Sequence, residues 1–378
     1  MAAKKKDQES ERRERLAAIT RVASRFEGFR PAGEVLTKVR AVPTIFPMLN
    51  SATRCGGWPI ERIGLVHGES QGGKTNLVLG LGKSFLERDS FFCYIDSEFA
   101  TPAEYVAQMM GEYNDHPGFQ AMRPNSYEET RDAVRRFVDS LAAAKDKGEL
   151  DKDTSALLVV DSIRKLIPLR MVEALEKEAE KVGLDGMRGM AGSYRAALNA
   201  AWMDELTGLL FNTGTAMVII ARERKRLNAK PFEKEYEIGG GESLVYESSI
   251  ACRVTRTFVK DGDDIVGERN NVRIWKSKVG SKVDGKWSDC GFHTSNGIKY
   301  PLGFDRARDV LEMSLACGVV DKKGGRTWVT VDAGPLGAGE VFGNSEAEAA
   351  QYLRTAPDAR AAIEELATAK FVPTEGEL

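Results

Sequence analysis

Residues 64 to 85 read GLVHGESQGGKTNLVLGLGKSF. Within them, Gly68-Glu69-Ser70-Gln71-Gly72-Gly73-Lys74-Thr75 satisfies the spacing GxxxxGK[ST] at every fixed position. An apolar run precedes it and a helical pattern follows, so the glycines sit between a strand and a helix. Glycines there let successive backbone N–H groups turn inward around phosphate oxygens, and the helix N-terminus adds free donors and a favourable dipole. Lys74 is placed to reach the β- and γ-phosphates, and the Thr75 hydroxyl to take a magnesium position. Gly68 to Thr75, with Asn76 in the first helical turn, form the candidate nucleotide-binding set. A glycine-rich turn without a ligand is the alternative, and the strand-before, helix-after context argues against it.

Working outward, short apolar runs alternate with longer helical stretches. RIGLVHG, FFCYIDSE, ALLVVDS and AMVIIAR are continuously apolar, which predicts parallel strands buried on both faces. Helices are predicted over 75–88 and roughly 192–211. A third opens at SYEE, where Ser126 and Glu129 give a capping-box signal and Ala133, Val134, Phe137, Val138 and Leu141 share one face. This alternation predicts an α/β fold with a mostly parallel central sheet and right-handed crossovers. After residue 250, IACRVTRTFV and NVRIWKSK follow without helices, predicting an antiparallel extension. The texture changes again after Pro301, which suggests three regions: an N-terminal helical segment (1–50), the α/β core (51–300) and a small C-terminal α/β domain (301–378).

Bulk composition narrows the function classes. Of 378 residues, 42% are hydrophobic and 29% charged, ordinary values for a soluble globular protein. No apolar run reaches the roughly 18–20 residues that span a bilayer. The N-terminal MAAKKKDQESERRERLAAI lacks the apolar region of a secretory signal, so a cytoplasmic protein is expected. Cys55, Cys93, Cys252, Cys290 and Cys317 are scattered, odd in number and never in a CxxC pair, which argues against a disulfide framework. His67, His116 and His293 lie far apart, against a zinc site. A net charge of −2 gives no global sign of nucleic-acid binding, so any such function rests on local clusters.

Three further constellations carry chemistry. Asp161 ends the run ALLVVD, where a strand emerging at the nucleotide edge would place a magnesium-side acid. In FFCYIDSEF, Glu98 follows another strand tip and is the candidate base that aligns the attacking water, with Asp96 the lesser candidate. The stretch ARERKRLNAKPFEKEYEIGGGES (221–243) gathers Arg222, Arg224, Lys225, Arg226, Lys230 and Lys234 around Phe232. Clustered cations with an aromatic suit a nucleic-acid backbone and a stacked base, although a solvated basic surface is an equally frequent use. Finally, Lys276 and Lys278 stand two apart on a predicted strand, hence on one face. They either protect an exposed edge or face an anion.

In this order, the stretches GGWPIERIGLVHGESQGGKT, YIDSEFATPAEY, LLVVDSIRKL, GGGESLVYESS and WKSKVGSK resemble the RecA family of homologous-recombination ATPases. The resemblance is greatest to the phage recombinases of the UvsX type. It spans roughly residues 40 to 300 and implies a RecA-like P-loop ATPase core. On that pattern Lys74 and Thr75 hold phosphate and magnesium, Glu98 activates water and Asp161 is the second motif's acid. Tyr105 falls where the family stacks an aromatic on adenine, and Lys276 and Lys278 where a neighbouring subunit completes the ATP site. GMRGMAGSYR resembles the first DNA-binding loop, with Arg188 and Met190. Residues 223–239 occupy the second, with Arg224, Lys225, Arg226, Lys230, Phe232 and then Gly240 and Gly241. Where the family carries Gln, or His in its phage type, this chain has Arg222. Its guanidinium suits a γ-phosphate sensor that binds bidentately with permanent charge.

The resemblance further implies ATP and Mg2+ as cofactors. The implied partners are single-stranded DNA, homologous duplex DNA, further copies of the chain in a helical filament, and single-strand-binding and mediator proteins. No membrane association is implied, and the N-terminal segment would serve oligomerisation. The expected activity is a DNA-dependent ATPase coupled to strand exchange in recombination, repair and recombination-dependent replication, in the cytoplasm, that of the host if the chain is phage-encoded. The alternatives are a RecA-fold ring helicase and a RecA-like regulator that binds a recombinase without hydrolysing ATP.

Overall fold

A computed structural model of the chain describes residues 2–23, 25, 38–169, 183–225, 236–280, 289–323, 327–330 and 339–371. Contacts divide the chain between Val39 and Arg40. The first unit contains helix α1 (Ala2–Ala23), on which Leu16, Ile19 and Val22 are all exposed.

The second unit opens with β1 (Ala41–Val42) and β2 (Trp58–Pro59), an antiparallel pair flanking α2 (Pro47–Ala52). The alternating elements follow: β3 (Ile63–Gly68), α3 (Lys74–Leu86), β4 (Phe91–Asp96), α4 (Ala103–Met110), β5 (Phe119–Met122), α5 (Tyr127–Asp146), β6 (Ala156–Asp161), α6 (Gly183–Leu210) and β7 (Thr215–Lys225). Next come β8 (Tyr236–Ile238), α7 (Glu242–Glu247), β9 (Ile250–Asp261), β10 (Asp264–Ser277), β11 (Asp289–Ser295) and β12 (Gly303–Phe304). Among the described residues the main sheet runs β12-β11-β10-β9-β3-β7-β6-β4-β5, with β8 attached to β7. Neighbours from β9 to β5 are parallel, and β10, β11 and β12 extend the sheet antiparallel, as the helix-free sequence after 250 predicts.

Both faces of the parallel part are covered, which is why its strands read as unbroken apolar runs. Leu157 and Val159 of β6 face a core shared with Leu77, Leu81 and Phe85 of α3. Leu158 and Val160 face the other way, onto Val134 and Val138 of α5 and Trp202, Met203 and Leu206 of α6. The α5 start follows the capping logic: Ser126 accepts a bond from the Glu129 N–H at 3.1 Å. Glu129 reaches back to the N–H of Asn125 at 2.7 Å, one residue before the cap.

Helix α6 begins at Gly183, well before the predicted 192. Gly183, Gly186 and Gly189 lower helix propensity ahead of the predicted start, because each costs about 1 kcal/mol in a helix interior. The anchored turns around Trp202 and Leu206 supply the nucleus, and extension from an existing helix is far cheaper than starting one. The stretch assigned by resemblance to the first DNA-binding loop therefore has helical backbone from Gly183 onward.

The C-terminal residues form α8 (Arg306–Ala316), a three-stranded antiparallel sheet of β13 (Val320–Lys323), β14 (Thr327–Thr330) and β15 (Val341–Gly343), then α9 (Glu346–Thr355) and α10 (Pro357–Phe371). Val310, Met313, Leu353 and Ile363 from this region join the same apolar core as α3. All five cysteines are free thiols. Among the described residues no helix is long and apolar enough to cross a membrane.

Candidate nucleotide-binding site

The parallel order places the carboxyl ends of β3, β4, β6 and β7 along one edge. Register pairs Asp96 with Asp161 and Gly68 with Arg222, so residues far apart in sequence meet where β3 gives way to the glycine turn. Ligands of open α/β sheets gather at such an edge. The turn is tightly built. An added Cβ at Gly68 would lie 2.2 Å from the Val254 carbonyl oxygen, and at Gly73, where φ is +93°, 1.9 Å from Asn270 Oδ1. Backbone closure is completed by the Gly72 N–H on the Glu69 carbonyl at 3.2 Å.

Lys74 folds back over this turn, donating to the carbonyls of Gly68 at 3.2 Å and Glu69 at 2.6 Å. Burial pushes its ammonium below the usual range, and the Asp161 carboxylate partly opposes that. Thr75 Oγ1 donates to Asp161 Oδ2 at 3.3 Å, and Tyr94 OH donates to the same oxygen at 2.8 Å. Burial pushes the Asp161 carboxyl up, while the Tyr94 and Thr75 bonds pull it down. Thr75 and Asp161 thus present two hard oxygens side by side. That donor set fits magnesium, which takes one or two protein oxygens and completes its shell with phosphate and water. Among the described residues no group of three or more His, Cys, Asp or Glu side chains is arranged to hold a metal ion by itself.

Glu98 stands across the cleft. Its backbone N–H and that of Ser97 both donate to the Asp161 carbonyl, at 3.3 and 2.8 Å, tying the β4 tip to β6. Ser162 Oγ donates to Glu98 Oε1 at 2.6 Å, and the Arg222 guanidinium pairs with Oε2. Asp96 is buried and turned instead towards Arg123, whose Nε lies 3.3 Å from its carboxylate. Tyr105 OH donates to Asn76 Oδ1, and burial pushes its phenol up to about 12.

These side chains line one cleft of about 370 Å³, which gathers Gly72 to Asn76, Glu98, Tyr105, Asp161 and Arg222. Sequence reasoning missed Arg256 and Glu268, which close its wall from the β9–β10 hairpin. Arg256 donates to Glu268 at 2.6 Å and to Gln71 at 3.3 Å. No spacing announces them, because the β3–β9 pairing brings to the turn a hairpin remote from it in sequence.

Lys276 and Lys278 lie elsewhere in the chain. Both ammonium groups converge on the C-terminal end of α7, where Lys276 donates to the carbonyls of Val245 and Tyr246, and Lys278 to that of Tyr246 at 2.7 Å. Within one chain, helix-end carbonyls and the dipole accommodate the two cations. Gly240 and Gly241 lead into α7, and Asn199 of α6 donates to the Gly240 carbonyl at 2.7 Å. Arg224 and Lys225 lie on β7 backbone paired with Glu237 and Tyr236. Arg226, Lys230 and Phe232 lie outside the described residues, as do the side chains of Arg188, Met190, Arg224 and Lys225.

Comparison with known proteins agrees with this geometry. The chain matches the family described as RecA N-terminal domain over residues 30–292. It is similar to Protein RecA of Salinispora arenicola, 27% identical over 330 residues that cover 87% of this chain and 82% of that one. Protein RecA of Frankia casuarinae is 27% identical over 351 residues, covering 92% and 89%. Protein RecA 1 of Myxococcus xanthus is 24% identical over 359 residues, covering 93% and 92%. With that match spanning more than half its length, and a phosphate turn, a threonine–aspartate pair and a strand-tip glutamate in one cleft, the chain belongs to the RecA family.

Proposed function

We propose that the protein is an ATP-dependent DNA recombinase. It polymerises on single-stranded DNA, pairs that strand with homologous duplex and exchanges strands, working in the cytoplasm. The observation that carries this reading is the convergence of Lys74, Thr75, Asp161 and Glu98 from separate elements on one cleft, in a chain of the RecA family. Magnesium would be held by Thr75 and, through water, Asp161. Bound there with ATP, it supplies charge neutralisation between the phosphates. Lys74 leaves the Gly68 and Glu69 carbonyls for phosphate oxygens. Glu98, held by Ser162, orients a water towards the γ-phosphate, and Arg222 stands where it can exchange Glu98 for that phosphate.

Residues 1–50 are assigned to oligomerisation, 51–300 to the ATPase core and 301–378 to an accessory domain. Arg188, Met190, the basic stretch from Arg224 to Phe232, and Gly240 and Gly241 are assigned to DNA. The kinship with UvsX-type phage recombinases, a phage origin, and dependence on single-strand-binding and mediator proteins belong to the same proposal. They rest on the sequence resemblance alone.

The test is ATP turnover with and without single-stranded DNA, followed by strand exchange between a circular single strand and its linear duplex. Turnover stimulated by DNA, with joint molecules formed only from homologous partners, is the expected result. Turnover indifferent to single-stranded DNA would overturn the reading. Unwinding of a forked duplex without homology would replace it with a helicase, and nucleotide binding without hydrolysis with a regulator.

A further inference from the structure

Besides its parallel pairing with β6, strand β7 has two further partners in succession. From Met217 to Arg222 it pairs in parallel with β3, and from Glu223 to Lys225 it pairs antiparallel with β8. Glu223 stands at that fork, with its side chain only 2% exposed. A carboxylate so deeply buried is costly unless fully paired. It is paired twice. His67 Nδ1 lies 2.6 Å from Oε1, and Arg253 Nε lies 3.0 Å from both oxygens.

Trp275 Nε1 donates to His67 Nε2, which assigns the proton facing Glu223 to Nδ1. Burial pushes the Glu223 carboxyl up, but the bonds from His67 and Arg253 outweigh it and hold the group below its usual range. The Arg253 guanidinium also lies 4.5 Å from the ring centre of Tyr236, on β8. Three elements thus meet on one carboxylate, β3 one residue before the phosphate turn, β7 itself and β9, and the returning strand β8 joins them through Tyr236 on Arg253. Nothing in the sequence pattern singled out His67, Glu223 or Arg253 for this.

Successive side chains of a strand point to opposite faces. Arg222, one residue before Glu223, therefore emerges on the nucleotide side, where it holds Glu98. We infer that Glu223, with His67, Arg253 and Tyr236, is a positioning cluster that pins the β7–β8 ribbon to the phosphate-turn strand. One buried pair thereby sets both the reach of Arg222 towards Glu98 and the base of the segment 226–235. This deepens the recombinase reading and rests on it: nucleotide at the turn and DNA at the ribbon act on the same pair. Glu223 touches neither ligand, and its effect passes through Arg222 and the ribbon.

The test measures kcat and KM for ATP on full-length protein, with and without an oligo(dT) strand. Glu223→Gln is expected to reduce DNA stimulation of kcat at least tenfold, with KM moved less than threefold, and to lower the melting temperature. The double variant Glu223→Met with Arg253→Met, which leaves no unpaired charge, is expected to regain melting temperature yet stay unstimulated. Tyr236→Ala, which removes the ring and the hydroxyl that meet Arg253, should lose stimulation severalfold, and Tyr236→Phe, which keeps the ring, should restore most of it. Variants stimulated as fully as a stimulated wild type would overturn this inference alone. A wild type that hydrolyses ATP without responding to DNA would overturn the recombinase reading and this inference together.

Discussion

Glu98 is bound on both oxygens, to Ser162 and to Arg222, and each contact has a different consequence. The serine orients the carboxylate from the strand next to its own, so the group keeps its place when the arginine departs. On the proposed function the arginine is the exchangeable partner, because a doubly charged γ-phosphate competes for a guanidinium better than one carboxylate does. Removing the charge while keeping the shape separates alignment of water from binding. Glu98→Gln is expected to lower kcat by about 10²–10⁴-fold, the range for a positioned base. Binding of a fluorescent ATP analogue should stay within threefold of the wild type. A variant that keeps half the wild-type turnover would remove Glu98 from the mechanism and return Asp96 to consideration, although its burial beside Arg123 argues against that.

Between β3 and α3 the turn works as one element, and Gly73 is its tightest point. Its φ of +93° disfavours a side chain, and Asn270 Oδ1 occupies the space a Cβ would need. The two costs can be measured separately. Gly73→Ala should weaken nucleotide binding at least tenfold. Adding Asn270→Ala should recover the steric part and leave the backbone strain, about 1–2 kcal/mol. Wild-type affinity in Gly73→Ala, measured by titration calorimetry, would mean that the turn does not cradle phosphate as built. This element was legible in sequence because a phosphate turn constrains residue type at fixed spacing, and the buried parallel strands were legible because both faces demand apolar side chains. What escaped prediction has a common physical form. The early start of α6 depends on packing around Trp202 and Leu206 that overrides glycine propensity. Arg256 and Glu268 enter the cleft, and His67, Glu223 and Arg253 meet, through strand neighbours remote in sequence. Contacts of that kind leave no local spacing to read.

At the scale of the whole molecule, Lys276 and Lys278 stand apart from the cleft and do not line it. Within one chain they cap α7, and burial together with the charge of Lys278 pushes the Lys276 ammonium below its usual range. A lysine held on helix-end carbonyls gives up little when a phosphate replaces them, so the pair is suited to a second anion presented by another copy. If the lysines serve a neighbour's nucleotide, the defect belongs to the interface and two different defects can complement. Lys276→Ala with Lys278→Ala should abolish turnover while sparing nucleotide binding by the monomer, and Lys74→Ala should abolish turnover by losing the phosphate grip. Mixed in equal amounts on single-stranded DNA, the two proteins form some junctions that pair an intact turn with intact lysines. In random order about a quarter of the sites would be complete, so ATP turnover should return to roughly that fraction of wild type, given self-assembly into a filament. If the lysines only cap α7, the mixture stays as inactive as its parts, because no junction can restore a contact that lies within one chain.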